Sequence, residues 1–206
     1  NVYNPKYVMV VNSDTRIEEA ALSELVKVSE SDSSIGFNSG KVCFFHDPNI
    51  IQTVGKFKSK YEIVGNNIGG GQVDKGQYDE IVERDFIDDV FMLIRSDLIS
   101  KMGAYDEDFF MYREDGDLQI RGKKLGFRIM YTPKARILHR VSYSSGGGAT
   151  TLNTFYLTRN RFLLLAKHGN SYQKLLFLFY FFSKFPRKLA FLYIKDFKLL
   201  KPYVSG

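Results

Sequence analysis

The chain has 206 residues, 44% hydrophobic and 25% charged, which suits one domain with a substantial core plus an appendage. Its single cysteine, Cys43, excludes an internal disulfide framework and fits a reducing, cytoplasmic setting. Ten of the 29 basic residues but only one of the 23 acids, Asp196, lie from Thr150 onward, so that segment carries +9 and the rest −3 within the total of +6.

Taken in chain order, residues 7–12 form an apolar run that reads as a buried strand ending in Asn12, Ser13 and Asp14. A strand that stops at a carboxylate puts that group at the carboxyl edge of a sheet, where open α/β folds bind ligands, so Asp14 is a candidate metal ligand. The duller alternative makes Asp14 part of the N-cap of a helix predicted over 18–29. A second strand is expected over 35–45. After it comes a long polar stretch, 65–80, whose Gly69, Gly70 and Gly71 lack the G-x-G-x-x-G spacing of a dinucleotide site. That stretch is either a loop that closes over substrate or a plain surface excursion. Residues 89–95 read as a third strand and 96–102 as a short helix.

The sequence FFMYREDGDLQIR, residues 109–121, is the most informative. Glu114, Asp115 and Asp117 crowd the first turn of a helix predicted over 115–125 and stopped by Gly126, a place where the helix dipole favours negative charge. Phe109, Phe110 and Tyr112 just before it are expected to wall one side of the carboxylates off from water, a setting for a general base. Alone, the cluster could equally be a solvated acidic face. A fourth strand is expected over 128–132. His139 then follows Ile137 and Leu138, ahead of a small-residue loop at 142–148 and a helix over 150–167. Imidazole with carboxylate suits Mn²⁺ or a similar divalent ion whose shell a diphosphate could complete; a lone histidine is also often structural. His46 and His168 read as surface or packing residues.

In this order NSD, GQYDE, the segment from Asp89 to Pro133, LHRVS and YLTRNRFLL resemble a family 2 glycosyltransferase of GT-A fold, in its bacterial cell-surface polysaccharide, rhamnosyltransferase-like subgroup. The resemblance implies an α/β, Rossmann-like domain over 1–170 and an inverting, metal-dependent transfer of a hexose or deoxyhexose. The donor would be a nucleotide-sugar, and the acceptor lipid-linked or a polysaccharide. Asn12 and Asp14 match the donor-binding signature, with asparagine in place of the first aspartate. Asp14 and His139 would hold Mn or Mg. Asp115 would be the catalytic base, with Glu114 and Asp117 orienting it or binding acceptor hydroxyls. One of Arg159 and Arg161, which point about 200° apart on a helix, would contact phosphate. Asp88 and Asp89 depart from a glycine-containing turn in relatives. The strand–helix units that precede NSD in the family are absent, which implies an N-terminally truncated nucleotide-binding half.

The tail, 171–206, combines basic and aromatic residues in a helical appendage. Its run LLFLFYFF is shorter than the ~20 residues a membrane span needs. Beyond Pro186, Lys188, Lys195 and Lys198 fall near one helical face. This pattern predicts an interfacial helix on anionic headgroups, hence a peripheral protein at the inner face of the cell membrane; a hairpin packed on the domain is the alternative. Apolar density argues against a nucleic-acid partner. A metal hydrolase lacks its paired ligand spacings here. An inactive, membrane-attached binding or scaffold module derived from the same fold remains the rival reading.

Overall fold

The computed structural model describes residues 4–140, 150–195 and 200–205. Its centre is β3 (Ile35–Phe44), buried at every position but the last. A fully buried strand needs cover on both faces, and its neighbours supply it. β3 pairs antiparallel with β8 (Phe91–Arg95) and parallel with β9 (Arg128–His139), while β1 (Tyr7–Val11) lies beyond β8 and β2 (Thr15–Ile17) beyond β9. Short β4 (Ile51–Thr53) and β7 (Val82–Glu83) attach to β3 and β9. A separate hairpin consists of β5 (Lys56–Ser59) and β6 (Ile63–Asn67).

Side-chain alternation along β8 explains the layers. Phe91 and Leu93 pack with Ala21 and Leu25 of α1 (Ala21–Ser31), whereas Met92 and Ile94 face Leu98 of α2 (Ser96–Met102) and Leu118 of α3 (Glu114–Lys124). A third cluster joins Val64 of the hairpin and Phe109 to Leu164 of α4 (Thr151–His168) and Phe177 of α5 (Ser171–Lys195). The first part of the tail is thus packed on the domain, and Tyr203 of α6 (Leu200–Ser205) stacks on Phe181 and Phe185. Pro186 lies inside α5 rather than ending it.

The path from β1 to β2 dictates the shape of the site. Five strands laid flat would separate these two by roughly 19 Å, yet only Asn12, Ser13 and Asp14 join them, a reach of about 14 Å. The sheet must therefore bend. It does so where the β3–β9 register jumps from Gly40↔Thr132 to Lys41↔Arg136, leaving Pro133 in a bulge where its missing N–H costs no ladder bond. Gly40 is required there, since a Cβ would fall 1.8 Å from the Ala135 carbonyl oxygen. Pro133 does not end the strand as the sequence pattern predicts; the bulge carries β9 on to His139. The polar stretch 65–80 is likewise tied down, with Asp74 and Asp79 paired to buried Lys41 and the Tyr78 carbonyl accepting from Tyr131.

Candidate active site

The bend brings the end of β1 beside the end of β9. Asn12 donates its N–H to Val90, Asp14 accepts from the Arg140 N–H, and Thr15 pairs with His139 across β2–β9. Asp14 is therefore held between two strands and does not cap α1. Its Oδ1 stands 3.2 Å from His139 Nε2, both side chains nearly buried. His139 Nδ1 faces Gln52 Oε1 at 2.8 Å. The ring thus bridges Gln52 and Asp14, and an imidazole nitrogen beside a carboxylate oxygen is a pair that can hold a divalent cation. Asp14 and His139 line a cavity of about 1170 Å³ together with Asn12.

The cavity lining is also strongly acidic. Asp88, Asp89, Glu114 and Asp115 line the cavity together with the cations Lys56 and Arg113. Lys56 Nζ pairs with Asp88 and lies 3.2 Å from Asp115 Oδ2, while Asp115 Oδ1 accepts the Gly116 N–H at 2.7 Å. Both oxygens of Asp115 are thus fixed. Burial draws the Lys56 ammonium's pKa down, but the charges of Asp115 and Asp88 outweigh it and hold it well above its ordinary value. Burial, and then the charges of Asp115, Glu114 and Asp88, push Asp89 up to about 7; its Oδ2 accepts from Tyr105 at 3.3 Å. Burial also raises Glu114, and one oxygen each of Glu114 and Asp88 is buried with no protein partner among the described residues. Such oxygens are ready acceptors for ligand hydroxyls.

Three non-glycine residues just before α3 adopt left-handed backbone: Phe110 (φ 55°), Tyr112 (φ 67°) and Arg113 (φ 74°). Each such residue costs on the order of 1 kcal/mol or more and persists only where its surroundings impose it. Asn160, fully buried on α4, donates its side-chain amide to the carbonyls of Phe109, Met111 and Tyr112 at 2.8, 2.7 and 2.8 Å. Arg113 donates to the Val64 carbonyl at 3.0 Å.

Asn12, Asp14, Glu114, Asp115 and His139 therefore meet at one cavity, whereas three other residues singled out in the sequence do not line it. Asp117 is buried and pairs with Arg121 and His168 at 2.8 and 2.6 Å. Arg159 donates to the Asp108 carbonyl at 2.6 Å, and Arg161 lies 3.6 Å from Glu62. Neither arginine lines the cavity in which one of them is expected to contact phosphate. Of the aromatic wall, Phe109 is buried and Tyr112 lines the cavity, but Phe110 is exposed beside Tyr156. The loop at 142–148 lies outside the described residues. Lys56 and Asn160 escaped the sequence reading. The one available signal was Asn160 itself, a poor helix former in mid-helix between two arginines.

No protein-family model matches the chain. Two curated relatives, the N-acetylglucosaminyl-diphospho-decaprenol L-rhamnosyltransferases of Mycobacterium tuberculosis strains CDC 1551 / Oshkosh and ATCC 25618 / H37Rv, are each 40% identical over 55 residues. That match takes in 27% of this chain and 18% of each relative's length. Among solved structures, GalNAc-T7 with UDP, GalNAc and Mn²⁺ superposes with a TM-score of 0.58 at 14% identity, over 95% of this chain and 37% of that one. The chain has the α/β architecture of a GT-A glycosyltransferase, and the short match to the two rhamnosyltransferases supports a glycosyltransferase family.

Proposed function

We propose that this chain belongs to family 2 and forms the acceptor-side part of an inverting, metal-dependent glycosyltransferase in cell-envelope glycan synthesis. It moves a hexose or deoxyhexose from a nucleotide diphosphate to a lipid-linked or polysaccharide acceptor. The observation that carries the reading is one cavity lined both by a His139–Asp14 pair and by a fixed carboxylate, Asp115. Asp115 takes the proton from the attacking hydroxyl, and a single displacement inverts the anomeric centre. Lys56 and the Gly116 N–H aim its two oxygens. Glu114 and Asp88 offer unpartnered oxygens to acceptor hydroxyls.

The donor set fits a divalent ion in part. Asp14 Oδ1 and His139 Nε2 are separated by 3.2 Å, close to the ~3.0 Å between cis ligands with bonds of about 2.1 Å. Among the described residues no group of three or more such side chains converges, so the remaining ligands would be diphosphate oxygens and water. A bound Mn²⁺ or Mg²⁺ would offset charge on the departing diphosphate. The complete protein, assayed with UDP- and dTDP-sugars, should release nucleotide only with added Mn²⁺ or Mg²⁺. Asp14→Ala should lower that release by ~100-fold or more. Equal release in EDTA would remove the metal from this reading.

A membrane surface is the proposed partner, and the localisation is peripheral at the cytoplasmic face. Among the described residues no helix is long and apolar enough to cross a bilayer. Instead α5 buries Phe177 on the domain and turns Tyr172, Leu175, Leu178, Phe179 and Phe182 outward along one stripe, with Phe179 78% exposed. Lys174 and Lys184 are exposed on the same helix, off the stripe. Lys188, Lys195 and Lys198 lie outside the residues whose side chains are described. Phe179→Glu with Phe182→Glu should abolish co-sedimentation with anionic liposomes. Unchanged pelleting would move the contact away from this stripe.

A further inference from the structure

Resting on the transferase reading, we infer that Asn160 is a positioning residue that sets the direction of the Glu114–Asp115 pair by clamping the left-handed turn from which α3 starts. The clamp is complete in a way unusual for one side chain. A primary amide has two N–H groups, and here they serve three carbonyls, those of Phe109, Met111 and Tyr112, within 2.7–2.8 Å. These carbonyls enclose the residues whose φ is positive, Phe110 and Tyr112, and end one residue short of Arg113, the left-handed N-cap of α3. Without a donor at that point, nothing else on α4 meets the three carbonyls. Arg159 reaches only the Asp108 carbonyl before the turn, and Arg113 holds itself to Val64 on its other side.

The consequence lies in lever geometry. Arg113 begins the intrahelical bonding of α3, its carbonyl accepting from the Asp117 N–H at 3.0 Å. A rotation at Tyr112 or Arg113 therefore swings the first helical turn, and with it the two carboxylates, relative to Lys56 and the rest of the cavity. Asn160 Oδ1 is buried with no partner among the described residues, which shows the side chain oriented by its donor end. Asparagine in mid-helix has low intrinsic propensity, so its place in α4 is unfavourable locally and favourable only through this contact.

Two variants test the inference in the complete protein, Asn160→Ala and the double variant Asn160→Ala with Tyr112→Gly. Glycine at 112 adopts positive φ freely and offsets the lost clamp in stability while loosening the turn. Displacing the base by ~1 Å predicts a kcat fall of about 100-fold, with the donor KM changed less than about threefold. The double variant should regain melting temperature but not kcat. Amide hydrogen exchange supplies a readout independent of activity: Asn160→Ala should accelerate exchange at Gly116 and Asp117 while the central sheet stays protected. Wild-type kcat in a folded Asn160→Ala protein would overturn the inference. So would kcat regained together with stability in the double variant, or exchange accelerated evenly through the chain. A wild-type protein inactive with every donor would instead remove the transferase reading, and the exchange pattern would still decide whether Asn160 holds the turn.

Discussion

Asp115→Asn should reduce sugar transfer by roughly 10²–10⁴-fold while nucleotide binding stays within a few-fold of wild type. The reasoning starts from the two oxygens of Asp115. One accepts the Gly116 N–H at 2.7 Å and the other lies 3.2 Å from Lys56 Nζ, so an isosteric amide meets a donor on each side and can satisfy only one of them. The substitution keeps the volume and leaves the Asp14–His139 pair, which shares no hydrogen bond with Asp115, untouched. It removes the lone pair that would take a proton from the acceptor hydroxyl. Initial rates with a saturating donor, alongside calorimetric titration of the nucleotide in Mn²⁺, separate the two effects. Retained transfer would pass the role of base to another cavity carboxylate, foremost Glu114 or Asp89, whose pKa values burial raises.

Several pieces of this arrangement were legible in the sequence because each closes an apolar run. Asn12 and Asp14 end the run of β1, His139 ends that of β9, and Glu114 and Asp115 open α3. β1 and β8 are visible for the same reason, as continuous apolar segments. By contrast β2, β4 and β7 are two or three residues long and exist through tertiary pairing rather than local preference. Lys56 was hidden in KFKSK, a run that reads as a solvated edge. Only the fold shows that the hairpin β5–β6 turns this lysine toward Asp88 and Asp115. Asp117, expected to orient the base or bind acceptor hydroxyls, does not line the cavity. Residues two apart on a helix point about 200° from each other, so Asp115 and Asp117 cannot both face one cavity.

Asp117 is expected to matter for stability instead, and its variants should separate cleanly from those of Asp115. Its side chain is 1% exposed and joins two partners from different elements, Arg121 one turn along α3 and His168 at the end of α4. Arg121 in turn donates to the Met102 and Ala104 carbonyls, so the carboxylate anchors α4 and the loop after α2 to the same helix. Asp117→Ala leaves His168 and Arg121 without their anion and should cost about 3–5 kcal/mol, which lowers Tm by roughly 10 °C for a chain of this size. Burial alone would raise the Asp117 pKa, but the hydrogen bonds from His168 and Arg121 outweigh it and hold the carboxyl below its usual 3.8. A depressed acid stabilises the fold fully above its unfolded value and loses that contribution as pH falls through the lower folded value. The Tm gap between wild type and Asp117→Ala should therefore be widest near neutrality and narrow below about pH 4. Thermal melts from pH 3 to 8 would measure it, and a gap that widens in acid would contradict the pairing. Assayed well below its Tm, Asp117→Asn should keep kcat within a few-fold, because no atom of this side chain lines the cavity. A loss as deep as that of Asp115→Asn would return Asp117 to the catalytic side of the helix.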